Sequence, residues 1–257
     1  MRRRPSVVVL SVLAATLAAL ACNLGPSTAT PSVPQVLTIE ASNSDPGPPS
    51  GPPASGDCHN DYFPSEEDTT WESVGTNNVT GDYQSTATIV EAHDDGFTVR
   101  FVTSISEVDF VLEYGCTDAG LVMLNPMGQF GTASASGPSG SATVNTTAAS
   151  GITLPSDLHA GQTWQQYLGY VVLSQEGSMR GEYTADNIAR GLEVVTVPFG
   201  TFNALRVDTE IQTTIDGQPW GPCQQTAWVV KDIGNVKGES SCGGIDDSNE
   251  LVSFDSP

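Results

Sequence analysis

Few side chains in this sequence are of types that do chemistry unaided. Histidine occurs at His59, His93 and His159, each in or beside a turn-like stretch. Serine and aspartate are abundant enough to complete a Ser-His-Asp set. No G-x-S-x-G elbow occurs, however, and "GPSGSA" is a flexible small-residue run rather than a strand-to-helix turn. H-E-x-x-H, Walker A and G-x-G-x-x-G patterns are equally absent. With 30 Asp and Glu, some carboxylates fall close by chance, so a paired-carboxylate hydrolase leaves no signature in the sequence. The acidic runs holding Glu66 to Asp68, Asp94 and Asp95, and Asp246, Asp247 and Glu250 offer hard oxygen ligands. None has calcium-loop spacing, and solvated turns explain them. No catalytic residue, metal or cofactor is expected.

Cysteine chemistry is more telling. "MRRRPSVVVLSVLAATLAALAC" joins three arginines, a short apolar run and small residues ahead of Cys22, the layout of an export signal over 1–21. Its end, "LAALAC", resembles the lipobox of bacterial lipoproteins, which implies diacylation of Cys22 and a membrane anchor. The remaining four, Cys58, Cys116, Cys223 and Cys242, suit disulfides in an oxidising compartment. Of the three possible pairings, Cys58–Cys116 and Cys223–Cys242 keep each bridge within one half of the chain. No C-x-x-C pair supports zinc. Without its first 21 residues the chain carries 30 acidic against six basic side chains, about −24 net. Such a field repels nucleic acid, which excludes it as a partner.

The elements that must position any site read as β. Residues 22–57 hold the acylated Cys22 and a Pro-rich stretch with eight of the 17 prolines and few large apolar residues, so they read as an extended tether. A first β half spans 58–131, with a hairpin signal at Asp95-Gly96. Residues 132–151 are small and uncharged, a linker or long loop with a weak strand near Ala142 to Thr147. A second β half spans 152–257, with a turn at Asp216-Gly217 and one short helix expected around Ser156 to Gln162. "YFPSEEDTTW" and "TLPSDLHAGQTW" open the two halves alike, and "YGCTDAGLVMLN" echoes "WVVKDIGNVKGE", which suggests a duplication. The expected fold is mainly β: curved antiparallel sheets or an open half-barrel in two similar halves, with at most one or two short helices.

"VTVPFGTFNALRV" followed by "TAWVVKDIGNVKGE" resembles the TapB-like family of bacterial exported lipoproteins, named for a type IV pilus accessory, and related exported families. The residues that carry the likeness are Trp164, Val197, Pro198, Gly200, Phe202, Ala204, Val207, Trp228, Gly234, Val236 and Lys237. Phe199 and Asn235 depart from it, standing where a small and an apolar residue are usual. The resemblance implies curved antiparallel sheets and no catalytic set, so its residues are read as structural. Pro198 and Gly200 read as a strand break, with Gly200 permitting the bend and Phe202 packed over the corner. Leu205, Val207, Thr209 and Ile211 then share one face, and Arg206, Asp208 and Glu210 the other. Trp71, Trp164, Trp220 and Trp228 fill core or line a concave face.

The expected role is a non-catalytic interaction or structural module of the cell envelope, accessory to a surface assembly such as a pilus. A carrier of a hydrophobic ligand in a half-barrel is the alternative, and an envelope hydrolase the third reading. A dry cavity would favour the carrier, a polar cleft with facing carboxylates the hydrolase, and a filled core with a flat exposed strand edge the interaction module.

Overall fold

The computed structural model describes residues 58–105, 110–125, 143–174 and 177–257. Cys22, the export segment, the Pro-rich stretch and residues 132–142 of the expected linker lie outside the described residues. Thirteen antiparallel strands form one open sheet, and the described residues contain no helix. The first five are β1 (Thr70–Asn77), β2 (Gly81–His93), β3 (Gly96–Thr103), β4 (Phe110–Thr117) and β5 (Gly120–Met123). After β6 (Thr143–Gly151) and the two-residue β7 (Leu154–Pro155) come β8 (Thr163–Ser174), β9 (Gly177–Val197) and β10 (Gly200–Ile215). β11 (Gln218–Val230), β12 (Gly234–Cys242) and β13 (Ile245–Asp255) complete the chain. Their order is β6-β8-β9-β10-β11-β12-β13-β1-β2-β3-β4-β5-β7, so both halves of the sequence share one sheet.

Several expectations are corrected. Ser156 to Gln162 is not helical. Gly161 sits at φ 86°, and Gln162 bonds back through its side chain to His159 N (3.1 Å), which spends helix-forming groups on a turn. The first hairpin turns at Asp94-Asp95, while Gly96 already pairs with His93 as the first residue of β3. A Cβ on Gly96 would lie 2.4 Å from Tyr114 O, so glycine serves close strand approach rather than the turn. The strand expected near Ala142 to Thr147 is present as β6 and runs on to Gly151. At Asp216-Gly217, φ angles of 49° and 74° meet the demand of a two-residue turn for left-handed residues.

The sheet repeats itself. Before β1, Thr69 N–H donates to Glu66 O (3.2 Å), Asp68 N–H to Ile89 O and Ile89 N–H to Thr69 O (both 2.9 Å). Before β8, Gln162 N–H donates to His159 O (3.2 Å), Gly161 N–H to Ala189 O (2.7 Å) and Ala189 N–H to Gln162 O (2.9 Å). Asp68 and Gly161 share the left-handed conformation, with φ 69° and 86°. Bulges follow at matching places, Val90 in β2 and Arg190 in β9. β1 to β4 thus correspond to β8 to β11, and β13 beside β1 corresponds to β6 beside β8. Each lead-in docks on the other block: Asp232 N–H donates to Asp61 O (2.8 Å), and Ser156 N–H to Ala119 O (3.0 Å).

The repeat locates the open seam. β12 and β13 form a tight hairpin, whereas β5 and β6, their counterparts, share no ladder. Side chains bridge the gap instead. Thr146 Oγ1 donates to Leu124 O (2.5 Å), Met123 N–H to Thr153 Oγ1 (2.6 Å) and Gln166 Nε2 to Met123 O (3.4 Å). One face of the curled sheet is filled with apolar side chains. Ile89 and Leu168 have no exposure, and Phe97, Val99, Leu112, Met123, Tyr183 and Leu251 are also buried in the main cluster. Phe63 stacks on Phe97 (5.3 Å), which stacks on Tyr114 (5.1 Å), and burial pushes the Tyr114 hydroxyl well above its ordinary pKa.

Candidate functional site

The cysteines pair as Cys58–Cys116 and Cys223–Cys242. The first ties the lead-in of β1 to β4, and the second staples β11 to β12 at the directly paired positions. Their sulfurs are committed to structure. Each histidine bonds an acceptor close by in sequence: His59 contacts Asp61, His93 contacts Glu91, and the His159 ring bonds Asp157 O (2.7 Å). No group of three metal-ligating side chains occurs among the described residues.

The motif around Pro198 forms an arm. Pro198-Phe199 is the turn between β9 and β10, a tight hairpin reversal rather than a break within a strand. The turn runs past the end of β11, and Phe199 N–H reaches Leu251 O in β13 (3.0 Å). Gly200 is not at positive φ. Its requirement is space, because the Phe202 ring lies 3.2 Å from where a Cβ would stand and stacks with Phe199 (5.9 Å). Val197 and Ala204 are buried in the main cluster, and Gly234 takes φ 93° as the first residue of β12. Leu205 and Val207 are buried, while Arg206, Asp208 and Glu210 point to the opposite, polar face as their alternation requires.

Trp228 is buried in the main cluster, yet with Lys237 it also meets the charged side chains of that face. Arg206 in β10, Trp228 in β11 and Lys237 in β12 are neighbours across one row of the ladders. The Arg206 guanidinium carbon lies 5.9 Å, and Lys237 Nζ 5.0 Å, from the Trp228 ring. Trp228 Nε1 donates to Glu193 Oε2 (2.8 Å), whose other oxygen meets Arg206 (3.5 Å). Asp208 ties this stack to the next row, accepting from Arg206 Nε (2.7 Å), Arg190 Nε (2.8 Å) and Thr226 Oγ1 (3.2 Å). Burial alone would raise the Asp208 pKa, but these bonds outweigh it and hold the carboxyl below its ordinary range. The same bond raises Arg206.

Beside the network lies an open groove of about 700 Å³. Its floor is the row Thr163, Ile188, Asp208, Thr226 and the row Gln165, Asp186, Glu210, Gln224, with Arg190 and Arg206 at one side. Gln165 Nε2 donates to Asp186 (2.7 Å). A second groove of about 690 Å³ includes Thr76, Asp82, Gln84, Ser104 and Glu250. Both lie over paired strands, where backbone groups are consumed by ladders and only side chains are offered.

No family model and no curated protein matches the chain. Among solved structures, the "putative lipoprotein" of Parabacteroides distasonis ATCC 8503 aligns with TM-score 0.55 at 13% identity, covering 77% of this chain and 100% of that one. This chain shares its fold. An exported protein with a YmcC-like fold from Bacteroides fragilis NCTC 9343 aligns at 0.49 with 11% identity, over 77% of this chain and 100% of that one. The "hypothetical lipoprotein YmcC" of Escherichia coli K12 aligns at 0.37 with 10% identity, over 74% and 85%.

The groove residues Gln165, Asp186, Arg190, Asp208, Glu210 and Gln224 were not singled out as a site by sequence. Alternation shows which of them share a face, but the neighbours across four strands depend on registers set by bulges at Arg190 and between Gln212 and Thr214.

Proposed function

We propose that this chain is a lipid-anchored, non-catalytic binding module of the bacterial cell envelope, held through Cys22 and presenting the polar groove of β8–β11 to an envelope partner. The observation that carries this reading is the difference between the two blocks. The ladders map Thr70, Thr88, Arg100 and Val111 onto Thr163, Ile188, Asp208 and Thr226, and map the bulge residue Val90 onto Arg190. Where one block exposes aliphatic Val90 and Val111, the other carries a bonded Arg190–Asp208–Arg206 set. A scaffold repeated for stability alone needs no such set in one copy.

The filled apolar face favours this reading over a carrier of hydrophobic ligands. The groove's carboxylates bear on the hydrolase reading too. Asp208 is held ionised by two guanidiniums, whereas a carboxyl acting as general acid needs a raised pKa. Type IV pilus assembly proteins, the partners implied by the TapB-like resemblance, are the finer candidates. The test is a photo-crosslinking residue placed in living cells at Gln224 in the groove or at Val111 in the other block. A discrete adduct from Gln224 alone supports the proposal. Equal labelling from both positions, or from neither, contradicts it.

A further inference from the structure

We infer that the ligand of the β8–β11 groove is a neutral, polyhydroxylated chain, a glycan strand of the envelope; this rests on reading the groove as a binding site. Several features of the groove point to that chemistry. The floor is made of strands paired on both sides, so an extended peptide cannot add itself by backbone bonding and must be read by side chains. A sugar chain presents hydroxyls that both donate and accept. The groove answers with donors at Arg190 and Arg206, acceptors at Asp186, Asp208 and Glu210, and both kinds at Gln165, Gln224 and Thr226.

The groove's positive charge is committed internally. Arg190 and Arg206 close on Asp208 at 2.8 and 2.7 Å, which leaves little field for an anionic ligand, while Asp186 and Glu210 leave the lining one carboxylate in excess. The mature chain's net charge of about −24 also opposes polyanions. The side chains are held in advance: Gln165 is bonded to Asp186, and Asp208 to three donors, so little rotamer freedom is lost on binding. The groove is also long and open across four strands, suited to a polymer laid over it rather than a small molecule enclosed.

The inference is tested with the chain lacking its signal and with Cys22→Ser, on a broad glycan array and on purified peptidoglycan sacculi. Cellotetraose and chitotetraose are titrated by calorimetry, with hexalysine and polygalacturonate as charged controls. Binding of at least one neutral oligosaccharide or of sacculi is expected, weakened tenfold or more by Gln165→Ala with Glu210→Ala and unchanged by Val111→Ala. Circular dichroism checks that each variant is folded. No glycan or sacculus binding by folded protein overturns the inference, and so does hexalysine binding that is lost in Glu210→Gln. If glycans fail while the Gln224 crosslink in cells persists, the ligand class falls and the binding-module reading stands. Release of new reducing ends from a bound oligosaccharide overturns the non-catalytic reading instead.

Discussion

The two blocks of the sheet use one backbone plan for different ends. β1–β4 and β8–β11 share the lead-in turn, the left-handed residue, the indole bonded to a carbonyl and the bulge. They part company on their polar faces and on hairpin length. β2 and β3 turn at Asp94-Asp95, a short way past the bulge, while β9 and β10 run on to Pro198-Phe199 and reach β13. The comparison teaches that shared bonds mark the scaffold and unshared side chains mark its specialisation. It also separates two tryptophans: Trp71 belongs to the shared plan, whereas Trp228 corresponds by ladder to the exposed Glu113 and belongs to the specialised block.

The largest effects should come from the bridges, one in each block. Cys58–Cys116 closes a separation of 58 residues and Cys223–Cys242 one of 19. On chain entropy, removing the first should cost about 4 kcal/mol and the second about 3 kcal/mol. Urea unfolding of the two Ser-for-Cys double variants checks the order, and a reversed order would break the comparison. Next come the paired core positions Ile89 and Ala189, both without exposure. Ile89→Ala should lose roughly 2–5 kcal/mol through its cavity. Ala189→Ile should lose about 1–3 kcal/mol through overpacking rather than gain stability. A stabilised Ala189→Ile would show that the second block has room its counterpart lacks.

Smaller effects sharpen the polar faces. Asp208 has a depressed pKa, so the stability it contributes is fully present above the ordinary value of 3.8 and is lost as pH falls through its lower folded value. With both partners partly exposed, the contribution should stay under about 1 kcal/mol. The gap between wild type and Asp208→Asn should therefore be flat above pH 5 and shrink in stronger acid. A gap that widens on acidification contradicts this. Smallest of all, Gly200→Ala should change stability by less than about 1 kcal/mol, because its backbone needs no left-handed conformation. Gly217→Ala, at φ 74°, should cost more, and equal melting of the two variants would remove that distinction.

Much of the scaffold is legible in the sequence because it is local. Alternation along Leu205 to Ile211 shows the two faces, and Asp216-Gly217 shows its turn. Pro-Ser and Trp at the two lead-ins show the repeat, and the pairing of Cys223 with Cys242 follows from nearness in sequence. What stays hidden depends on register. Tyr114 and Trp228 align by motif, yet the ladders carry Trp228 onto Glu113, so the two rings have different neighbours, Phe97 for one and Arg206 for the other. Trp228 stands nearer the end of β11 than Glu113 does to the end of β4, so the turns that carry the shared Asp and Gly begin at different places, and no composition signal announces it. The groove is hidden for the same reason. Its residues come from four strands and become neighbours only once every bulge is placed.

The central claim is that the Arg190–Asp208–Arg206 row serves binding and not folding. The direct measurement exchanges it for the other block's residues, Arg190→Val, Arg206→Thr, Asp208→Arg and Thr226→Val together, and follows melting and the Gln224 crosslink in one chain. The account predicts a melting temperature within about 4 °C of wild type, the scale of a 1 kcal/mol change in a domain of this size, and loss of the adduct. A chain that fails to fold, or one that melts normally and still crosslinks, would contradict it.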